Sequence, residues 1–392
     1  MTHIGGEDAP IYFCIKLTYK LMNKYMDFIM NKKFLAAAIA AATFGTQAVA
    51  VELYNNDGTT FSVGGHVSIN VNGSEQGDTD VGTNSPRINF TATQDLGNGF
   101  TADARGEWAL NYLDGGDETF TTRLGYLGLT HDVYGRAVGG TQWAPYYDVA
   151  GVADMPIAFA NDFIYDDHGN LGTGRADKML SYRNAIELGE AGSIGFGLGW
   201  QGSNDQSSVD EVIVDDGSGN PIYETQYSGN NYGDRVQLAL TYSVLGAKVG
   251  YTYNTGDITA SAAAPKKETA ESHLVSASYG SYGQGLYVAA VYGSNEYMNF
   301  NGSQRLVESD AYEALLAYAL PSSLNLSINY EMVEGKATKA SSTETAREEM
   351  AVQAEYNFTP KFVGYAGYQF DLNDANDRKT DDKWAIGGRY YL

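Results

Sequence analysis

From Thr59 to Leu392, apolar and polar residues alternate with a period of two along most of the chain. Successive side chains of a strand point to opposite sides, so this pattern predicts strands whose two faces meet unlike surroundings. In 324–332, Leu324, Leu326, Ile328, Tyr330 and Met332 share one face, while Asn325, Ser327, Asn329 and Glu331 make the other. In 350–358, Met350, Val352, Ala354, Tyr356 and Phe358 oppose Ala351, Gln353, Glu355 and Asn357. Near the start, Phe61, Val63, Val67, Ile69 and Val71 oppose Ser62, His66, Ser68, Asn70 and Asn72.

The pattern predicts sixteen strands, at 59–72, 84–94, 99–112, 119–131, 134–142, 175–187, 193–202, 233–244, 246–256, 271–281, 284–295, 309–320, 323–334, 347–358, 361–372 and 382–392. Short turns such as Asp132-Val133, Leu188–Gly192 and Pro321-Ser322 take turns with long polar loops near 73–83, 113–118, 143–174, 203–232, 257–270, 296–308, 335–346 and 373–381. Short turns at one rim and long loops at the other are the pattern of an outer-membrane barrel. A soluble sandwich also alternates, but nothing requires its long loops to fall on every second connection. The predicted fold is therefore all-β, a 16-stranded antiparallel transmembrane β-barrel. In hydrocarbon every backbone N–H and C=O must be paired, which forces the sheet to close. Eight strands leave a lumen filled by side chains, whereas sixteen leave an aqueous channel.

Composition agrees. The longest apolar run, Phe34 to Phe44, is shorter than the roughly 20 residues of a membrane helix. The chain holds 30 tyrosines and 8 prolines, which suits strands and a bilayer interface. A net charge of −23 excludes nucleic acid as a partner, because no basic tract could neutralise phosphates.

Residues 30–50 have the three parts of a signal peptide in order: Lys32 and Lys33, the apolar run Phe34 to Phe44, and Ala48-Val49-Ala50 as a small-residue cleavage site. Since 29 residues precede it, 1–29 are expected to be an upstream start-site extension, with 51–392 forming the barrel. Without residues 1–50, the chain has 20 basic and 45 acidic residues, a charge of −25. It also loses its single cysteine, Cys14, so no disulfide or zinc-thiolate site is expected.

At the C-terminus, Trp384, Ile386, Tyr390 and Leu392 fall on one face. This resembles the signal that bacterial outer-membrane barrels present to their insertion machinery, with Leu392 in place of the usual phenylalanine. Further stretches are Glu52–Gly58 before Gly65-His66; Thr122–Leu129 followed by Tyr134-Gly135-Arg136; Tyr146–Val149 leading to Asp154-Met155-Pro156; and Arg175 with Ser181–Asn184. Together they resemble the Gram-negative general diffusion porins, those of Vibrio-like bacteria in particular. With the leader and the last strand, the similarity spans 30–392. It implies a homotrimer in the outer membrane, surrounded by lipid and lipopolysaccharide. Each subunit would have its own pore for ions and small hydrophilic solutes, narrowed by a long third loop folded inward.

Strand parity places Arg87, Arg105, Arg123, Arg175, Arg183 and His66 on the polar face. An arginine facing lipid at mid-bilayer would cost roughly 2–4 kcal/mol. Arg87, Arg123 and Arg175 match the family's basic constriction wall, and His66 sits where it commonly has a lysine; Arg105 joins them by parity alone. Among the third-loop carboxylates, Asp154 matches, but the glutamate expected after proline is replaced in Pro156-Ile157-Ala158-Phe159. Asp162 is the expected substitute, with Asp166 or Asp167 as alternatives. The lost glutamate makes the eyelet more positive and the total charge makes the mouths negative, which leans the expectation toward cations. Trp143, Tyr146 and Tyr147 either stack on sugar rings, giving a sugar-preferring porin, or pack the loop's base against the wall. The acids Asp205, Asp210, Glu211, Asp215 and Asp216 could bridge lipopolysaccharide through divalent cations, or simply keep loop 203–232 solvated.

An outer-membrane enzyme would need a nucleophile and a base on facing strands. After residue 50 only His66, His131, His168 and His273 remain, none in a Ser/His/Asp arrangement or at metal-ligand spacing. No catalytic residue, cofactor or metal is expected, and an adhesin or phage-receptor role would be compatible with a pore.

Overall fold

Side-chain alternation sorts the strands into an exposed apolar face and a covered face rich in polar groups. Val67, Ile69 and Val71 are 39%, 56% and 40% exposed, whereas His66, Ser68 and Asn70 between them are nearly fully buried. A soluble protein has the opposite arrangement, so the outer face is made for an apolar solvent. The computed structural model describes residues 50–392 apart from 114, 116–119, 161, 216–220 and 375–378, and only the backbone of 211–215 and 221–224. The expected extension 1–29 and nearly all of the leader 30–50 lie outside the described residues.

Sixteen long strands follow in chain order. They are β1 (Thr59–Ser74), β2 (Arg87–Gly97), β3 (Phe100–Leu110), β4 (Phe120–His131), β5 (Gly135–Trp143), β6 (Arg175–Glu187), β7 (Ser193–Gln201) and β8 (Asn230–Val244). The second half comprises β9 (Ala247–Ala260), β10 (Lys267–Ser281), β11 (Gln284–Glu296), β12 (Glu308–Ala319), β13 (Leu324–Lys336), β14 (Glu344–Thr359), β15 (Phe362–Asp371) and β16 (Lys383–Tyr391). Each pairs antiparallel with the next, and β16 pairs back onto β1 from His66↔Tyr391 to Ser74↔Lys383. The sheet thus closes into a sixteen-stranded barrel with every predicted strand in place. β1 and β2 approach closely at Gly65, whose φ is +122° and where a Cβ would lie 2.1 Å from the Arg87 carbonyl oxygen.

Two elements were not expected. Val51–Asn56 forms a strand on the part of β1 that β16 does not reach, so the two ends of the barrel segment share one strand position. Within 203–232, expected to be a long polar loop, Ser208–Asp215 and Pro221–Ser228 pair as a hairpin.

The β1 ladder lapses at Ser68, between its pairing with β2 at Thr59–His66 and with 80–82 at Asn70–Asn72. There the Tyr112 hydroxyl accepts the Ser68 N–H at 3.0 Å and donates to the Ser68 carbonyl. One phenol therefore satisfies both backbone groups that a missing strand residue would have paired.

On the outer face, at the long-loop ends of four successive hairpins, a tyrosine hydroxyl donates to a carboxylate of the adjoining strand or loop. The pairs are Tyr253–Glu271 and Tyr292–Asp310 at 2.7 Å, Tyr330–Glu348 at 2.9 Å and Tyr368–Asp382 at 3.0 Å. A ring in an apolar layer with its hydroxyl in a polar one suits a membrane boundary.

The interior face is not uniformly polar. Leu274, Val291, Leu315 and Val333 point inward from β10 to β13 and pack with Tyr146, Val149, Ala150, Val152, Phe163 and Ile164 of segment 144–174. A small hydrophobic core thus sits between wall and loop, and its burial favours docking of the loop.

Candidate pore constriction

Arg87, Arg105 and Arg123 project from neighbouring strands β2, β3 and β4 and converge on one carboxylate, Glu107 of β3. The N–O separations are 3.8, 2.8 and 3.0 Å, and Glu107 is 3% exposed. Three like charges this close repel, and the acid among them holds the group together. Ser85 adds to the clamp: its carbonyl accepts Arg87 Nε at 3.0 Å, and its hydroxyl accepts Arg87 at 2.9 Å and Arg123 at 3.2 Å. Glu107 was not singled out from the sequence, although it shares a face with Arg105 two residues away. Arg389 of β16, also not anticipated, donates to the carbonyl and side-chain oxygens of Asn84 at 3.2 and 3.1 Å.

Arg175 begins β6 and belongs to a ring of contacts at the base of the third loop. Its Nη2 donates to His168 Nε2 at 3.0 Å, while Nδ1 of the same imidazole faces the Tyr165 carbonyl at 3.2 Å. These partners make Nδ1 the protonated nitrogen of a neutral histidine, and burial beside Arg175 holds its pKa below the usual value. Asp154 Oδ2 accepts hydroxyls from both Tyr165 and Tyr147, the latter at 2.7 Å. Tyr147 lies 4.2 Å from Trp143 by ring centroid, and the Arg175 guanidinium closes the ring 5.6 Å over Trp143. Burial pushes the Asp154 carboxyl up, against the opposing pull of the two hydroxyls and of Arg87 and Arg175.

The remainder of the loop is fastened to interior side chains of β6 to β14. Arg183 pairs with Asp148 at 2.6 Å, and Lys248 donates to the Asp148 carbonyl at 2.8 Å. The Tyr287 hydroxyl donates to Val152 O at 2.6 Å. At the tip, Glu355 accepts the Ile157 N–H at 2.8 Å, and Gln353 accepts those of Ala158 and Phe159 at 3.1 Å. Glu331 then accepts the Asp162 N–H at 2.5 Å and pairs with Arg347 at 2.7 Å. Inward glycines make room: a Cβ at Gly250 would lie 2.8 Å from Val149, and one at Gly367 3.0 Å from Phe159. Beside the tip is a cleft of about 330 Å³ lined by Asn70, Asn84, Ala158, Phe159, Lys383 and Trp384.

Of the residues expected at a basic wall, the structure brings Arg87, Arg105 and Arg123 together. Arg175 stands beside them, close enough for its charge and that of Arg123 to act on one another. His66 is a correction: it is 3% exposed, edge-on to Tyr391 at 5.6 Å, and presents no surface to the lumen. For Tyr146 the structure takes the packing alternative. This residue is 1% exposed with its hydroxyl 2.9 Å from Ser272 Oγ, so it packs the loop's base and cannot stack on a solute. Tyr147 has its hydroxyl committed to Asp154, and Trp143 is half-buried against it. Asp162 is exposed but lies past the tip, among Arg347, Asp154, Glu349 and Lys383. Asp166 pairs with Arg347 at 3.7 Å, and Asp167 with Arg305 at 3.2 Å. Among the described residues, no three His, Cys, Asp or Glu side chains are grouped to hold a metal ion.

Comparison with known proteins agrees with this architecture. The family model described as Gram-negative porin matches residues 35–391. Outer membrane protein S2 of Salmonella typhi is 26% identical over 388 residues, covering 92% of this chain and all of that protein. The structure of Salmonella typhi OmpF in complex with daunomycin superposes with a TM-score of 0.67 at 22% identity, over 87% of this chain and all of that one. OmpT of Vibrio cholerae, solved in a trimer form, gives 0.60 at 18% identity over 86% and 100%.

Proposed function

The chain belongs to the Gram-negative porin family, and from that membership we propose how its channel is narrowed and assembled. It is an outer-membrane porin, a water-filled channel for passive diffusion of ions and small hydrophilic solutes. The observation that carries this is the closed sixteen-strand sheet with its apolar face outward. A barrel of this strand number leaves an aqueous lumen.

Segment 144–174 is the inward-folded third loop and sets the bore. Its hydrogen bonds to Gln353, Glu355 and Glu331 and its hydrophobic core against β10 to β13 support this. The basic wall is Arg87, Arg105, Arg123 and Arg175, with Arg389 added and His66 removed. Opposite it stand Asp154 and, past the tip, Asp162. Liposome swelling with sugars of graded size tests the loop's part. A steep fall in permeation near disaccharide size is expected, and free entry of large oligosaccharides would contradict it.

The working unit is a homotrimer. An apolar groove on the outer face over β14 to β16 and β1, lined by Ile69, Phe358, Phe362, Gly388 and Tyr390 among others, supports subunit contact there. Lipid and lipopolysaccharide surround the remaining outer face, and the last strand is the segment read by the insertion machinery. Residues 30–50 are the leader, 1–29 an upstream extension, and Val51 the mature N-terminus, which N-terminal sequencing reads directly.

A sugar-preferring channel is the second reading. Trp143, stacked on Tyr147 beneath Arg175, is the aromatic surface that favours it. Oligosaccharide-induced current blocks that disappear in Trp143→Ala would establish it. We assign the barrel no catalytic role: His168, nearest to a polar cluster, is committed to Arg175 and Tyr165.

A further inference from the structure

We propose that the narrow part of this pore selects for anions, and that its preferred solutes are small molecules bearing a carboxylate or phosphate. The inference rests on the pore reading and names the solute class that the pore favours.

Five guanidinium groups, those of Arg87, Arg105, Arg123, Arg175 and Arg389, stand on one side of the interior. Glu107 is the one carboxylate ion-paired within the group, among the described residues. It is already shared by three of the arginines, so positive charge remains over. Arginine is the side chain best shaped for an oxyanion, offering paired N–H donors to two oxygens at once.

The facing loop does not restore the balance. Asp154, whose Oδ2 accepts two phenol hydroxyls, adds a single negative charge, so with Glu107 two carboxylates stand against five guanidinium groups. From Pro156 to Ala160 the tip carries no charge. The N–H groups of Ile157, Ala158 and Phe159 are turned away to Glu355 and Gln353. The cleft beside this tip is lined by two exposed charged groups of opposite sign, Lys383 and Asp78, which offset one another. Past the tip, Glu331 and Asp166 are engaged by Arg347, which leaves Asp162 as the exposed loop carboxylate there, one charge against the five guanidinium groups of the wall.

Total charge pulls the other way, since most of the acidic excess lies outside the eyelet. Asp205 and Asp210, for example, are exposed on the loop between β7 and β8. Fields from exposed groups fade over a Debye length of roughly 8 Å at physiological ionic strength. Partly buried charges lining a confined passage are screened much less. The eyelet therefore overrides the mouths, reversing the expectation drawn from net charge.

The test is the zero-current potential of the full-length mature protein in planar bilayers under a potassium chloride gradient, repeated with inorganic phosphate replacing chloride. The sign for anion preference is expected, with phosphate also carrying current. Ile157→Glu, which places an acid on the uncharged tip, should shift the potential toward cation preference, as should Arg123→Gln. Neutralising Asp205 and Asp210 together should leave it where it was. A cation-preferring wild type, or a potential that follows the loop acids and ignores Ile157→Glu, would overturn the proposal while leaving the pore intact. A barrel that folds but passes no current would contradict the pore itself and the proposal with it.

Discussion

Glu331 of β13 accepts the backbone N–H of Asp162 at 2.5 Å, joining the barrel wall to a loop residue 169 positions earlier in the chain. The same carboxylate holds Arg347, which also reaches Asp166. One buried acid therefore fastens the returning limb of the third loop. Hydrogen bonds to a charged group contribute about 1.5–3 kcal/mol each. Glu331→Ala should release this limb, raising single-channel conductance and current noise. An unchanged conductance with a folded barrel would remove Glu331 from the anchor.

Tyr112 closes the lapse in the β1 ladder with one hydroxyl. Tyr112→Phe keeps the ring but strands the N–H and C=O of Ser68, each costing about 1–3 kcal/mol when buried without a partner. The variant should unfold at lower temperature or denaturant concentration than the wild type, with conductance retained.

Tyr146 is a packing residue, not a solute surface. Tyr146→Phe removes only the contact with Ser272 and should cost about 1 kcal/mol. Tyr146→Ala empties a fully buried site and should cost about 3–5 kcal/mol, read as lowered thermal stability of the trimer. Equal stability of the two variants would contradict the packing assignment.

Asp162 makes the channel sensitive to pH. Although the residue is exposed, surrounding protein pushes its carboxyl up to about 6 against the pull of Arg347, with Asp154 and Glu349 adding repulsion. Above that value it is charged. As pH falls through it, the lumen loses one negative charge and the anion-to-cation permeability ratio should rise. Asp162→Asn should hold the low-pH ratio throughout, and a wild-type ratio that is flat across the interval would remove Asp162 from the ion path.

The barrel was legible because alternation states which face each residue takes, and sixteen alternating segments fix the strand count. Parity is silent on depth and on distant partners. It placed His66 on the inner face correctly, but its burial depends on Tyr391 at the far end of the chain. Likewise Glu107 shows only an inward orientation in sequence, while its role comes from Arg87 and Arg123 on neighbouring strands. The strand Val51–Asn56 is short and exposed on both faces, so it lacks the pair of unlike surroundings that alternation reports. The inward leucines and valines under the loop escape parity for a related reason. An interior face was expected to be polar, yet Leu274 and Leu315 meet loop side chains there instead of water.

Planar-bilayer recording of the purified, folded protein tests the central claim most directly. Stable current steps in groups of three, ohmic at low voltage, are the predicted result. A well-folded barrel that inserts into the bilayer and passes no current would contradict the account.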